Sequence, residues 1–220
     1  MDLSQNELIK KQIRQYKNMI KLNDNNIDVY EKYSKSIFEY CNYLSNDINE
    51  LYNNQIFESK TSYYANEIEV IKTASEILMN GVNKIKGSYE FYLNTGLIFS
   101  YLTKLLETDD YTENIIICYE KALNFCKNNS EIFINLAIAY EKSIIAGKDE
   151  NKGKNYLKKM LRNYKNFLKS KKEQDNYYMI YAHSLYSLFE YSENENQREK
   201  IIKYVKRLYK IEKKLLPNNL

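Results

Sequence analysis

The segment from Tyr111 to Tyr140 contains two amphipathic helical patterns that are separated only by a short polar turn. The first pattern reads YTENIIICYEKALNFC, the turn reads KNN, and the second pattern reads SEIFINLAIAY. In both patterns apolar residues recur at spacings of three or four, which places them on one face of a helix. The segment therefore predicts a helix-turn-helix unit in which each helix buries one face.

The same type of pattern extends along the whole chain. Only 5 Gly and 1 Pro occur in 220 residues, so there are few breaks between mixed polar and apolar stretches. A chain of this length can bury a core without disulfides or metals. We therefore predict an all-α protein of about nine helices, at residues 5–22, 27–53, 62–86, 88–106, 112–127, 130–146, 151–170, 174–192 and 197–215.

A recurring order of small and bulky residues gives this helical pattern a family resemblance. Leu136, a small Ala137 and Tyr140 lie at offsets of zero, one and four in the second helix of the segment. This order resembles the tetratricopeptide repeat (TPR), a helix-turn-helix unit of roughly 34 residues that stacks into solenoids. The first helix of a repeat follows a similar order at two other places in the chain. One consists of Tyr92, Thr95, Gly96 and Phe99, and the other of Tyr178, Tyr181, Ala182 and Leu185. Second helices match the family's small-bulky-small trio, wholly or in part, at Ala74, Leu78 and Gly81, at Ile115, Tyr119 and Ala122, and at Gly153, Leu157 and Met160.

The resemblance implies a TPR-like right-handed α-solenoid of antiparallel helices. It predicts one domain over residues 1–220, in which helix 5–22 precedes repeats at about 27–87, 88–129, 130–172 and 173–217. These repeats are longer than the family pattern, by seven residues between Phe99 and Ile115 and by four between Tyr140 and Gly153. Extra lengths near four and seven add whole helical turns and keep the apolar face in phase.

In TPR proteins the first helices line a concave groove that binds the ligand. Carried over to this chain, the groove consists of Leu93, Asn94, Leu97, Tyr101, Ile134, Asn135, Ile138, Lys142, Met179, Ile180, His183 and Tyr186. Asn94 and Asn135 match an asparagine that binds ligand backbone in some family members. The lysines that grip a terminal dicarboxylate are absent, since residues such as Leu93 and Glu131 hold their places. The resemblance thus implies a protein-interaction scaffold for an extended or helical apolar segment, unless the chain's own last helix or a second subunit covers the groove.

Basic residues support an alternative function. Residues 1–110 hold 12 basic and 16 acidic side chains, whereas residues 111–220 hold 21 and 13, so the two halves carry about −4 and +8. Within the basic stretch 152–172, one helix face carries Lys158, Arg162, Lys165 and Lys169, and 200–214 repeats the pattern. Such faces bind nucleic acid or an acidic partner, but they also occur as solvated outer faces, and no aromatic side chains interleave with the charges.

The sequence gives no support for an enzyme or for a bound cofactor. His183 is the only histidine, and no phosphate-binding glycine motif is present. The three cysteines, Cys41, Cys118 and Cys126, have neither metal-binding nor disulfide spacing. The N-terminal residues do not resemble a secretory signal, and the longest uncharged apolar stretch, 91–103, is too short for a bilayer. We therefore expect a cytoplasmic protein without membrane insertion, catalytic residues or metal.

Overall fold

The computed structural model describes residues 5–53, 64–126 and 129–146, together with individual positions between 155 and 210. The described residues form helices and their connections, and none of them lies in a β-strand. The helices with described bounds are α1 (Gln5–Leu22), α2 (Ile27–Asn53), α3 (Ala65–Lys84), α4 (Tyr89–Leu106), α5 (Thr112–Leu123) and α6 (Ser130–Ile145). The described positions between 155 and 210 are also helical.

The predicted helix positions agree with these bounds to within a few residues. The α1 and α2 bounds match the prediction, and α4 and α6 differ from it by one residue. The helix predicted at 112–127 ends earlier, at Leu123, because the chain turns at Asn124 and Phe125. The three helices predicted after residue 150 have bounds that lie outside the described residues. The all-helical class is confirmed for the part of the chain that is described, and the count of nine stays a prediction.

The chain divides into two compact units, Met1–Lys127 and Asn128–Leu220. In the first unit α1 packs on α2, α2 also contacts α3 and α4, and α4 packs against both α3 and α5. Five residues, 107–111, join α4 to α5, so these two helices run antiparallel. In the second unit the rings of Tyr140 and Tyr156 lie 5.0 Å apart, centroid to centroid. The single domain of four repeats stays a prediction.

Helical periodicity explains the core of the first unit. On α2 the buried side chains follow one another at spacings of four, three and four: Tyr33, Ile37, Tyr40 and Leu44. This spacing is the face of a helix that packs on its neighbours. On α1 the buried stripe consists of Ile9, Ile13 and Ile20. Because α1 contacts α2, this stripe closes the N-terminal side of the unit.

Two glycines that belong to the small-and-bulky pattern allow helices to approach closely. A Cβ atom at Gly81 of α3 would lie 2.5 Å from the Tyr30 ring of α2. At Gly96 of α4 it would lie 2.8 Å from the Tyr119 ring of α5. Both distances are shorter than carbon atoms tolerate, so each tyrosine ring occupies the space that a side chain would need. The small residues of the pattern therefore mark helix contacts.

Side chains also fix the connection between α3 and α4. The Tyr92 hydroxyl accepts a hydrogen bond from the Gly87 N–H at 2.9 Å and donates one to the Ile85 carbonyl at 3.3 Å. Lys121 of α5 donates to the carbonyl of Val82 in the last turn of α3, where carbonyls have no partner within the helix. Its ammonium also lies 5.5 Å from the centroid of the Tyr92 ring. The end of α3 is thereby joined to both following helices.

The helices α5 and α6 begin in different ways. Tyr111 stands at the N-cap position of α5 without a side-chain cap. At the start of α6, the Asn129 side chain accepts a hydrogen bond from the Ile132 N–H at 3.1 Å. Asparagine is one of the residues that cap helices best, because its side-chain oxygen accepts from a free N–H of the first turn.

Candidate functional site

Helix α4 presents the part of the predicted groove that lies in the first unit. Leu93, Asn94, Leu97 and Tyr101 are all half-buried, and three of them recur every fourth residue along one side of the helix. Another side of α4 packs into the unit, through buried residues that include Phe91, Tyr92, Thr95, Gly96 and Phe99. The half-buried stripe on α4 is therefore partly apolar, and the packed side fixes its orientation.

Contacts with α5 hold α4 in this orientation. The Ser100 hydroxyl donates to the Gly96 carbonyl at 2.9 Å and lies 3.3 Å from the Tyr119 hydroxyl. The Thr95 hydroxyl donates to the Phe91 carbonyl at 2.7 Å, which satisfies it inside the helix. The close approach of the Tyr119 ring to Gly96, together with the Tyr119 hydroxyl beside Ser100, leaves α4 little freedom to rotate against α5. The stripe thus has a defined direction.

Less of the Tyr101 side chain is available to a partner than its predicted position in the groove implies. Its hydroxyl is buried and makes no hydrogen bond of ordinary geometry, although Ser45 of α2 lies nearby. Burial raises the pKa of the Tyr101 hydroxyl above its usual value, and the neighbouring Cys41 raises it further. The hydroxyl is therefore directed toward α2, so a ligand on this side of α4 would contact mainly the ring.

Helix α6 carries the predicted groove residues of the second unit. Asn135, Ile138 and Lys142 are half-buried, as their counterparts on α4 are. Ile134, which we placed on the same surface, is only 6% exposed and offers almost no contact area. The opposite side of the helix is packed, with Leu136 and Ala137 fully buried. The accessible surface of α6 is narrower than the sequence predicts.

The two asparagines occupy matching places in their helices. Asn94 lies one residue before the small pair Thr95 and Gly96, and Asn135 lies one residue before Leu136 and Ala137. Both side chains are half-buried, and neither amide has an intramolecular hydrogen bond to another described residue. A side-chain amide can both donate to a peptide carbonyl and accept from a peptide N–H. Each asparagine is therefore suited to bind the backbone of a ligand.

Several predicted residues lie outside the described part of the chain. Among the groove residues these are Met179, Ile180, His183 and Tyr186, and among the basic residues they are Lys165 and Lys169. The other two members of the basic face, Lys158 and Arg162, are exposed. Exposure fits either a binding face or a solvated one, so both readings of the basic stretch stay predictions.

The sequence did not predict a cleft in the first unit. The cleft has a volume of about 610 Å³ and lies where α1 and α3 end; its walls include Ile20, Leu22, Tyr30 and Ile77. Asp24 and Lys84 form an ion pair at the same place, and this pairing lowers the pKa of the Asp24 carboxyl. No spacing rule connects residues of α1 with residues of α3, so only the folded structure brings them together.

The two buried thiols of the first unit, Cys41 and Cys118, are poorly suited to nucleophilic chemistry. Burial raises the pKa of the Cys118 thiol to about 12, and it also raises the pKa of Cys41. Within the described ranges, no group of three metal-binding side chains comes together. No described helix combines the length and hydropathy that a bilayer crossing requires.

Comparisons with known proteins add one structural similarity. No protein-family model matches the chain, and no curated protein matches it at a significant level. Among solved structures, the crystal structure of MamA aligns with 99% of this chain and 100% of its own, at 16% sequence identity and a TM-score of 0.46. The candidate groove therefore rests on the helices described above and on their sequence pattern.

Proposed function

We propose that this protein is a TPR-like interaction scaffold or adaptor that binds an extended or helical apolar segment of a partner protein along its first helices. The supporting observation is that α4 and α6 present the same combination of groups. Each has a half-buried asparagine without an intramolecular partner among the described residues, and each has a half-buried aliphatic side chain three residues later, Leu97 and Ile138. An apolar segment would cover the aliphatic side chains, while the amides would bind its backbone.

The arrangement gives an expected division of the binding energy. Burying a half-exposed Leu97 or Ile138 would contribute about 1 kcal/mol each, roughly half of the value for a complete aliphatic side chain. The asparagine amides would add specificity for an exposed peptide backbone rather than for particular side chains. Binding of this type depends on shape and apolar area, so it should change little with salt concentration.

The experiment compares single and paired substitutions in the full chain. Leu97→Asp or Ile138→Asp should each weaken co-purification of the partner, and the pair should abolish it, because each buries a charge against an apolar ligand. Val70→Asp and Ile145→Asp are matched controls, since both residues are exposed and aliphatic but lie outside the groove positions. Circular dichroism should show that all five variants keep the helical content of the parent.

The alternative is binding of nucleic acid or of an acidic partner through the basic stretch. Lys158 and Arg162 are exposed there, and Lys203, Lys206 and Lys210 are exposed near the end of the chain. Reversing the charges at Lys158, Arg162 and Lys165 should leave a groove partner bound. Loss of the partner only on charge reversal, with steep weakening between low and moderate salt, would contradict the groove proposal and support the alternative. Unfolding of the paired aspartate variant would also contradict it, because these positions would then be core.

A further inference from the structure

Helix α1 has a second apolar stripe that the fold does not bury. Leu8, Met19 and Leu22 are 48%, 47% and 88% exposed, respectively. With Gln12 and Gln15 they follow one another at spacings of four, three, four and three along the helix. The apolar side that holds α1 on the protein is a different one, made of Ile9, Ile13 and Ile20. Helix α1 therefore has one stripe for its own fold and one that faces solvent.

The spacing of the exposed stripe indicates the shape of its ligand. Alternating steps of three and four residues give an average of 3.5, the repeat at which one α-helix packs along another. We name these five residues, Leu8, Gln12, Gln15, Met19 and Leu22, the outer seam. Its last residue also lines the cleft of about 610 Å³ where α1 and α3 end. A helix lying along the outer seam could therefore place an apolar side chain in the cleft beside Leu22.

The overall charge of α1 indicates the chemistry of a helix that lies along the outer seam. Helix α1 contains five basic residues and one acidic residue, whereas the first unit as a whole holds 14 basic and 18 acidic residues. Three of the basic residues, Lys11, Arg14 and Lys21, are exposed. Helix α1 is thus a strongly positive segment in a unit with net charge −4. Lys11 lies directly beside the outer seam, and Arg14 and Lys21 lie further round the helix. The excess of positive charge on α1 therefore favours an acidic partner.

We propose that the outer seam of α1 docks an acidic amphipathic helix of a partner protein. A second copy of α1 is a poorer occupant, since two helices with the same positive charge would repel each other. A lipid surface also fits less well, because membrane-binding helices insert a broad apolar face. In α1 the broad face is packed against α2, and two glutamines interrupt the outer seam. This docking site is separate from the groove residues of α4 and α6, so either site can fail without the other.

The test uses two synthetic peptides of three heptads with leucines at the seam positions. One peptide has glutamates at the flanking positions, and the other has lysines. Each is labelled and titrated with the full-length protein at low salt, and binding is followed by fluorescence anisotropy. We expect the glutamate peptide to bind at least about 10-fold more tightly than the lysine peptide. Equal binding of the two peptides, or no binding of the glutamate peptide, would overturn the proposal.

Variants then locate the bound peptide. Met19→Gln with Leu22→Gln should weaken binding of the glutamate peptide at least about 10-fold, because two exposed apolar side chains lose their contacts. Val70→Gln is the matched control, since Val70 is 36% exposed on α3 and should leave binding unchanged. If the paired variant loses helical content, Lys11→Glu with Lys21→Glu serves instead and should shift the preference toward the lysine peptide.

Two other occupants are measured with the same proteins. Sedimentation velocity detects a dimer that Met19→Gln with Leu22→Gln dissociates, and flotation with phosphatidylserine-rich vesicles detects membrane binding. The proposal is supported if the glutamate peptide binds and both of these measurements stay negative. A dimer or vesicle binding that depends on the outer seam would overturn it, as would full retention of peptide by both paired variants.

Discussion

The contact between Gly96 and Tyr119 leads to a prediction in which the sign of the effect is informative. An alanine at position 96 would place its Cβ atom 2.8 Å from Cε1 and 3.0 Å from Cδ1 of the Tyr119 ring. This ring is fully buried, and its hydroxyl lies 3.3 Å from the Ser100 Oγ. It therefore has little room to move away. An alanine at this position should force α4 and α5 apart or push the ring off its preferred rotamer.

The expected magnitude follows from two opposing contributions. Replacing glycine by alanine inside a helix stabilises it by about 1 kcal/mol, because the unfolded chain loses freedom. Overpacking a core contact destabilises the fold by about 1 to 3 kcal/mol. We expect Gly96→Ala to lower the free energy of unfolding by about 1 kcal/mol. In a Tyr119→Val background the ring atoms are absent, so the same change should raise it by about 0.5 to 1 kcal/mol.

The parent, the two single variants and the double variant form a double-mutant cycle. Urea unfolding followed by circular dichroism measures the free energy of unfolding of each of these four proteins. The coupling between the two positions should be about 2 kcal/mol, within the range for residues in direct contact. The reasoning is refuted if Gly96→Ala stabilises the parent by the full helix contribution. The larger changes Gly96→Leu and Ala137→Leu should each destabilise the fold by about 1 to 3 kcal/mol or more, since Ala137 is also fully buried.

Three further predictions concern the circular dichroism spectrum, the reactivity of the thiols and the ion pair between Asp24 and Lys84. Far-ultraviolet circular dichroism should show a helical spectrum that neither chelator nor reductant changes; substantial β-signal would contradict the architecture. Ellman's reagent should modify the half-buried Cys126 first, and Cys41 and Cys118 only on unfolding, because burial raises the pKa of both thiols. The Lys84 ammonium holds the pKa of Asp24 below its usual 3.8, so the ion pair should stabilise the fold above that pH. Asp24→Asn should therefore lower the melting temperature at neutral pH but not once the pH falls well below 3.8; a difference that persists in acid would contradict this assignment.

The helices could be predicted from the sequence because their buried faces repeat at regular spacing. Tyr33, Ile37, Tyr40 and Leu44 show this most clearly on α2. The small-and-bulky pattern also contains Gly81 and Gly96, and the structure shows close helix contacts at both. Both are local properties, since a residue's place on a helix face depends only on its neighbours in the chain. The identity of the ring opposite each glycine was not predicted, because it belongs to another helix.

The candidate site was harder to predict for the same reason. The pattern placed Ile134 on an accessible surface, yet the side chain is buried. It also gave no indication that the Tyr101 hydroxyl turns toward Ser45. The cleft beside Leu22 went unpredicted because no repeat pattern relates α1 to α3. The outer seam went unpredicted because its exposure depends on which side of α1 packs against α2. Exposure is set by what packs nearby, which a single helical pattern does not contain.

The bond from Lys121 to the Val82 carbonyl joins two consecutive helical hairpins, α2–α3 and α4–α5, because α5 carries the lysine and α3 carries the carbonyl. The last turn of α3 consequently keeps its full set of bonds only while α5 is in place. When the hairpin of α4 and α5 opens, the last turn of α3 should be released at the same time. The backbone amides of α5 and of the last turn of α3 should therefore exchange with deuterium at a common rate. Neighbouring hairpins linked in this way act as one cooperative element, and a truncation just before α5 would shorten the stable part of α3 as well.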